Sequence, residues 1–151
     1  MEELNSKIKQ TAKLIARSFY GLWIGAISLW LLFLTDILPL GIVDGQSQTV
    51  YYIQIVGVLI TLPAIPLSLR NFHRYVGTLQ EKPLMERLAC YQRASLWRLT
   101  CLGIPFFYNL LLYFLTLNRA PGMLALIVLL ATIFCIPDKK RLIHELNIPE
   151  Q

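Results

Sequence analysis

The sequence predicts an all-α polytopic membrane protein, with four transmembrane helices in two hairpins and both the N-terminus and the C-terminus in the cytoplasm. Three observations carry this. Four apolar stretches of about spanning length recur along the 151 residues, each near the ~20 residues that a bilayer crossing needs. The chain is 56% hydrophobic and only 15% charged, with a mean hydropathy of +0.55, whereas an average soluble domain is roughly 25% charged. Alternate crossings would also put thirteen of the 14 Lys and Arg on one face, the asymmetry that marks cytoplasmic loops.

The spans fall at about 19–38, 50–69, 99–117 and 121–137, with a cytoplasmic connection 70–98 and an amphipathic tail 138–151, all in one domain. Lipid offers backbone groups no hydrogen-bond partner, so such segments must be helices, and the ten-residue alternation of a barrel is missing. Span one follows a basic stripe, Lys9, Lys13 and Arg17, at i, i+4 and i+8, and no small-x-small cleavage site succeeds it. It therefore reads as a retained span and not a cleaved signal. Pro39 ends it, and Asp36, 17 residues after Phe19, lies ~26 Å along the helix, at the outer interface. Pro63 and Pro66 in span two and Pro105 in span three predict kinks, since neighbouring helices can satisfy the freed carbonyls. Pro83 can open helix three early, because Leu84, Leu88, Tyr91 and Ser95 already step at helical spacing. Pro121 suits the first turn of helix four.

Orientation follows from the basic residues. Lys7, Lys9, Lys13 and Arg17 precede span one; Arg70, Arg74, Lys82, Arg87, Arg93 and Arg98 separate spans two and three; Lys139, Lys140 and Arg141 follow span four; only Arg119 lies opposite. In a soluble protein the net charge of +5 would suggest nucleic acid. Here the cations flank apolar runs, so they read as topology signals and headgroup contacts, and no nucleic-acid partner is expected. The two basic exits echo one another: Ile65-Pro66, Arg70 and His73 recur as Ile136-Pro137, Arg141 and His144. A parallel duplication would produce that echo, as would the common habit of following a helix exit with proline and basic residues. Arg70, His73, Arg74, Lys139, Lys140, Arg141 and His144 are the expected contacts to an anionic inner leaflet, with the bilayer itself as partner.

Two stripes of small residues predict close helix contacts. Span one offers Ser18, Gly21, Gly25 and Ser28; span two offers Gly57, Thr61, Ala64 and Ser68. The simplest arrangement sets them face to face within one hairpin, and a homodimer seam or a partner's docking surface is the other reading. Asn109 lies 11 residues beyond Arg98, ~16 Å into the bilayer. Its amide needs a partner, for which Thr61, Gln54 or a tyrosine hydroxyl is available, and Asn109 and Gln54 are the candidate intramembrane polar contacts. The aromatics of span three, Phe106, Phe107, Tyr108, Tyr113 and Phe114, suit core or lipid contact first and a ligand groove second.

Catalytic chemistry has no signature. The spans hold no ionisable group near the midplane, and span one has no glutamate of the kind that small four-helix drug exporters depend on. Cys90, Cys101 and Cys135 form no C-x-x-C, and with His73 and His144 outside the spans no metal or haem spacing exists. No nucleotide fingerprint or nucleophile triad is present. The expectation is a small integral protein of a plasma (inner) membrane, not an enzyme, without cofactor or metal. It would act as an accessory or assembly subunit packing against another membrane protein or itself. The alternative is a small dimeric transporter or lipid-handling carrier.

Overall fold

The computed structural model describes residues 2–44 and 46–136, with side chains at 6–44, 46–79 and 81–136. Among these the chain forms four α-helices: α1 (Glu2–Leu34), α2 (Gln48–Thr78), α3 (Leu84–Thr116) and α4 (Arg119–Ile133), with a single 3₁₀ turn at Leu79–Glu81. The tail 138–151, with Lys139, Lys140, Arg141, His144 and the second copy of the echoed exit, lies outside the described residues.

Length separates the helices into two kinds. At ~1.5 Å per residue, α1, α2 and α3 are each ~46–50 Å long, well beyond the ~30 Å hydrocarbon core. All three are long and apolar enough to cross a membrane. Helix α4 has 15 residues, or ~22 Å; it is apolar but shorter than a full span, and it ends at Ile133 instead of reaching the expected 137. The excess length of the other three projects at one end, where the N-terminal half of α1, the C-terminal half of α2 and the N-terminal half of α3 meet. There Ile8, Ile15, Phe72, Val76, Leu79, Leu88 and Tyr91 form a buried cluster. Segment 70–98, expected as a connection, is thus almost wholly helical. Its apolar positions recur at helical spacing, and they have α1 to pack against.

Helix α3 is the hub. It lies against α1, α2 and α4, whereas α1 and α2 share no comparable contact. The first expected hairpin is therefore open, while α3 and α4 do pair. The reason is visible in the residues α3 turns inward: Leu88, Tyr91, Ser95, Arg98, Leu102, Pro105 and Asn109 are all buried at alternating three- and four-residue spacing, a continuous seam of the coiled-coil kind. A second cluster, Ala26, Leu102, Phe106, Ala125, Val128 and Cys135, fills the space between α1, α3 and α4. At the far end Phe33 of α1 stacks on Phe114 of α3, 4.4 Å between centroids.

The ends are closed locally. Helix α3 stops at Leu117, held at φ 48, whose N–H donates to Tyr113 O. The orphan carbonyls of its last turn accept from the α1–α2 connection, Gly41 N–H to Phe114 O and Val43 N–H to Leu115 O, at 3.0 and 3.1 Å. Gly41 takes φ +64 there, a conformation that costs glycine nothing. Asn118 caps α4 by accepting from Ala120 N–H, and Pro121 sits in the first turn, where no N–H is missed. Pro63, Pro66 and Pro105 lie inside α2 and α3 without ending them. On the connection before α3, Lys82 pairs with Glu86 at 3.0 Å, and that hydrogen bond holds the ammonium above the usual lysine range.

Candidate functional site

Four glycines, Gly25, Gly57, Gly103 and Gly122, set how closely α3 is approached. A Cβ at Gly57 of α2 would lie 3.1 Å from both Asn109 Oδ1 and Tyr108; one at Gly103 would meet Leu22 of α1 at 3.0 Å; one at Gly122 of α4 would meet Tyr113 at 2.8 Å. Each contact is tighter than ordinary van der Waals distance, so the absent side chain lets backbone approach a ring, an amide or, at Gly103, a leucine. Gly57 belongs to the small stripe read from the sequence. Gly103 and Gly122 do not, because each stands alone without a small neighbour four residues away.

The two small-residue stripes do not face each other. In α2, Gly57, Thr61 and Ser68 are buried and Ala64 half-buried, with Gly57 and Thr61 set against α3. In α1, Gly25 lies under Phe107 of α3, but nothing approaches within 4 Å of a Cβ at Gly21. Ser18 is half-buried and Ser28 exposed. The α1 stripe is therefore split, one side against α3 and the other open.

Asn109 is 1% exposed, and its Nδ2 donates to Thr61 Oγ1 and to Pro105 O, both at 2.7 Å. Pro105 lies one turn back on α3, and Thr61 is the partner on α2 among the three that the sequence offered. Beside this pair Tyr108 O–H donates to Ile53 O at 3.1 Å, so two polar bonds and Gly57 fix α3 on α2. Gln54 shares that α2 face, three residues before Gly57, and its Nε2 is buried without a hydrogen-bond partner.

The basic residues divide by depth. Arg70, His73 and Arg74 are exposed on the last turns of α2. Arg98, in contrast, is 6% exposed, with its guanidinium 3.9 Å over the Phe72 ring and its Nε buried without a hydrogen-bond partner. Ser95 Oγ, one turn earlier, is likewise buried and unsatisfied. By sequence Arg98 reads only as a marker of the membrane edge. The missed signal was the seam Leu88, Tyr91, Ser95, which reaches Arg98 at its next step.

Two grooves flank α3. One, of about 900 Å³, runs between α2 and α3 from Thr78 and Arg93 down to Ile60 and Ile104, and Arg98 lines it. The other, of about 800 Å³, lies between α1, α3 and α4; it is almost wholly apolar apart from Arg119, and Trp23, whose Nε1 is buried without a partner, lines it. Among the described residues no three His, Cys, Asp or Glu side chains gather as metal ligands do. Compared with family models, with curated proteins and with solved structures, the chain matches none of them.

Proposed function

We propose that this small α-helical membrane protein is an accessory or assembly subunit without catalysis of its own, which associates with a second membrane protein through the open face of α1. In this reading all four helices cross or enter the bilayer, both termini face the cytoplasm, and the membrane is a prokaryotic plasma membrane. The basic residues of the α1, α2 and α3 ends then lie at an anionic inner leaflet.

The observation that supports association is the face α1 leaves uncovered. Helix α1 leans mainly on α3, and Gly21, Ile24, Ser28 and Leu31 are all exposed at spacings of three, four and three. Small and branched side chains alternating at that period suit a helix–helix seam in lipid, where close van der Waals contact drives association. Gly21 also permits a clean test. An isoleucine there meets none of the protein's own atoms within 4 Å at its Cβ, so Gly21→Ile leaves the fold alone and blocks only an approaching helix. Gly25 would serve less well, since its Cβ would press on Phe107 at 3.2 Å.

Gentle purification of the full chain from its own membrane, followed by native mass measurement, is the experiment. Wild type should carry a stoichiometric membrane protein, or a second copy of itself, that Gly21→Ile loses while its helical content and melting profile stay unchanged. A bare monomer in both, at equal yield, refutes the proposal. The competing reading, a dimeric carrier with Asn109 and Gln54 along its path, has less support: Asn109 is enclosed and its amide is spent on Thr61 and Pro105.

A further inference from the structure

We infer that the groove between α2 and α3 is a binding site for one anionic phospholipid, whose headgroup phosphate meets Arg98, Arg93 and Arg74 and whose acyl chain follows α2 and α3 inward. The site does not depend on the association proposed above, because that surface lies on α1.

Charge and shape argue together. Arg74, Arg93 and Arg98 all line this groove and no acidic residue does. Among the described residues none of the three takes part in an ion pair. Arg74 and Arg93 are exposed at the mouth, where Asn71 adds an amide. Arg98 stands deeper and is the informative member. A guanidinium is planar, always charged and equipped with five donors that match a phosphate. Here it rests on Phe72 through its face, has a buried Nε without an acceptor, and lines the cavity. Leaving such a donor unsatisfied is costly, and the terminal N–H groups of the same guanidinium, which are not closed off in that way, are the donors that suit a phosphate oxygen in the groove.

The dimensions fit a lipid better than a small anion. From Arg98 to Thr116, where α3 ends, is 18 residues or ~27 Å, which puts Arg98 at one edge of a ~30 Å hydrocarbon core. From Arg93 to Ile104 on α3 and from Arg74 to Ile60 on α2, the groove extends over ~16 and ~21 Å of helix, with ~9 Å on α3 below Arg98, room for a headgroup and the upper part of an acyl chain. Below the arginines its wall is mostly apolar, with Ala64, Leu67 and Ile104 beside Ser68, whose hydroxyl donates to Ile65 O. A phosphate would occupy only the mouth of this groove of about 900 Å³ and leave its apolar part unfilled.

Full-length protein is reconstituted in nanodiscs of phosphatidylcholine with a minor fraction of phosphatidylglycerol, extracted gently, and examined by native mass spectrometry. One phosphatidylglycerol per chain should survive where phosphatidylcholine does not. Arg93→Gln and Arg74→Gln, at exposed positions that leave the fold intact, should each lower retention; Arg98→Gln should lower it about tenfold, the worth of one charge-assisted hydrogen bond. If Arg98→Gln fails to fold, Ala64→Trp, which fills the acyl path and spares every arginine, should abolish retention by itself. Equal retention of phosphatidylcholine overturns the inference. So does retention indifferent to Arg93→Gln and Ala64→Trp, and so does protection against heat by inorganic phosphate with no lipid held, which would make the site one for a free anion.

Discussion

The bond between Asn109 and Thr61 is the part of this structure whose energy can be isolated. Both residues are closed off, at 1% and 0% exposed, so neither side chain has water as an alternative partner. The 2.7 Å contact joins α3 to α2. Hydrogen bonds between transmembrane helices average ~0.6 kcal/mol and reach ~1.7, because the freed groups find other partners in the membrane. Thr61 has such a partner within reach, the backbone carbonyl one turn back, while Asn109 keeps its bond to Pro105 O. A coupling of about 1 kcal/mol is therefore expected, roughly fivefold in the unfolding equilibrium. Asn109→Ala alone should cost more, ~2 kcal/mol, since it also leaves a void beside Gly57. Thr61→Val keeps the shape and removes only the hydroxyl. The assay is a double-mutant cycle on reversible unfolding in mixed micelles, followed by helix ellipticity. Additivity of the two changes within ~0.3 kcal/mol would refute the reasoning and leave α2 held to α3 by shape alone.

Three further outcomes test other parts of the fold. Gly122→Leu should destabilise by ~1–3 kcal/mol, since its Cβ would lie 2.8 Å from Tyr113, whereas Gly21→Leu should shift the same unfolding curve hardly at all. Leu79→Ala should cost ~2–5 kcal/mol by opening a cavity in the cluster where α1, α2 and α3 project together, since Leu79 is 1% exposed there; unchanged stability would mean that cluster does not hold α1 in place. Glu86→Gln should bring the Lys82 ammonium back down toward the ordinary lysine range, measured by NMR titration, because the hydrogen bond to Glu86 is the main cause of its rise. Whatever stability the pair contributes is present below lysine's unfolded value and is lost as pH rises through the folded one.

What the sequence discloses is what lipid forces on it. Apolar length gives the helices and proline gives several of their ends, so Pro83 before α3 and Pro121 at α4 are legible at once, whereas the Asn118 cap is seen only in the fold. Partners are another matter. The Ser18–Ser28 and Gly57–Ser68 stripes are equally plausible mates by spacing, yet Gly57 meets Tyr108 and Asn109 of α3. Spacing describes one helix surface, and complementarity belongs to two. Tyr108 and Asn109 of α3 supply the ring and the amide that Gly57 admits. Gly103 and Gly122 carry no sequence signal for a related reason: a lone glycine has no period, and its role appears only with Leu22 or Tyr113 beside it.

Arg98 marks where rule and structure part most instructively. Counted as a basic residue it supports the charge asymmetry as well as Arg70 does, but the two differ in depth and surroundings, and those decide chemistry. Arg70 is exposed and water can solvate it. Arg98 occupies a seam position between Ser95 and Leu102, where leucine or alanine would pack more cheaply, and a cation buried without a counter-charge is expensive. Its ring partner Phe72 offsets part of that cost, yet the buried Nε still lacks an acceptor. A charge kept at such a position calls for an anion that comes from outside the chain, and Arg98 lines the groove proposed to hold one. Arg98→Leu separates the two explanations: it should raise stability in phosphatidylcholine alone if the guanidinium is retained for a ligand, and lower it there if contact with Phe72 is the whole reason.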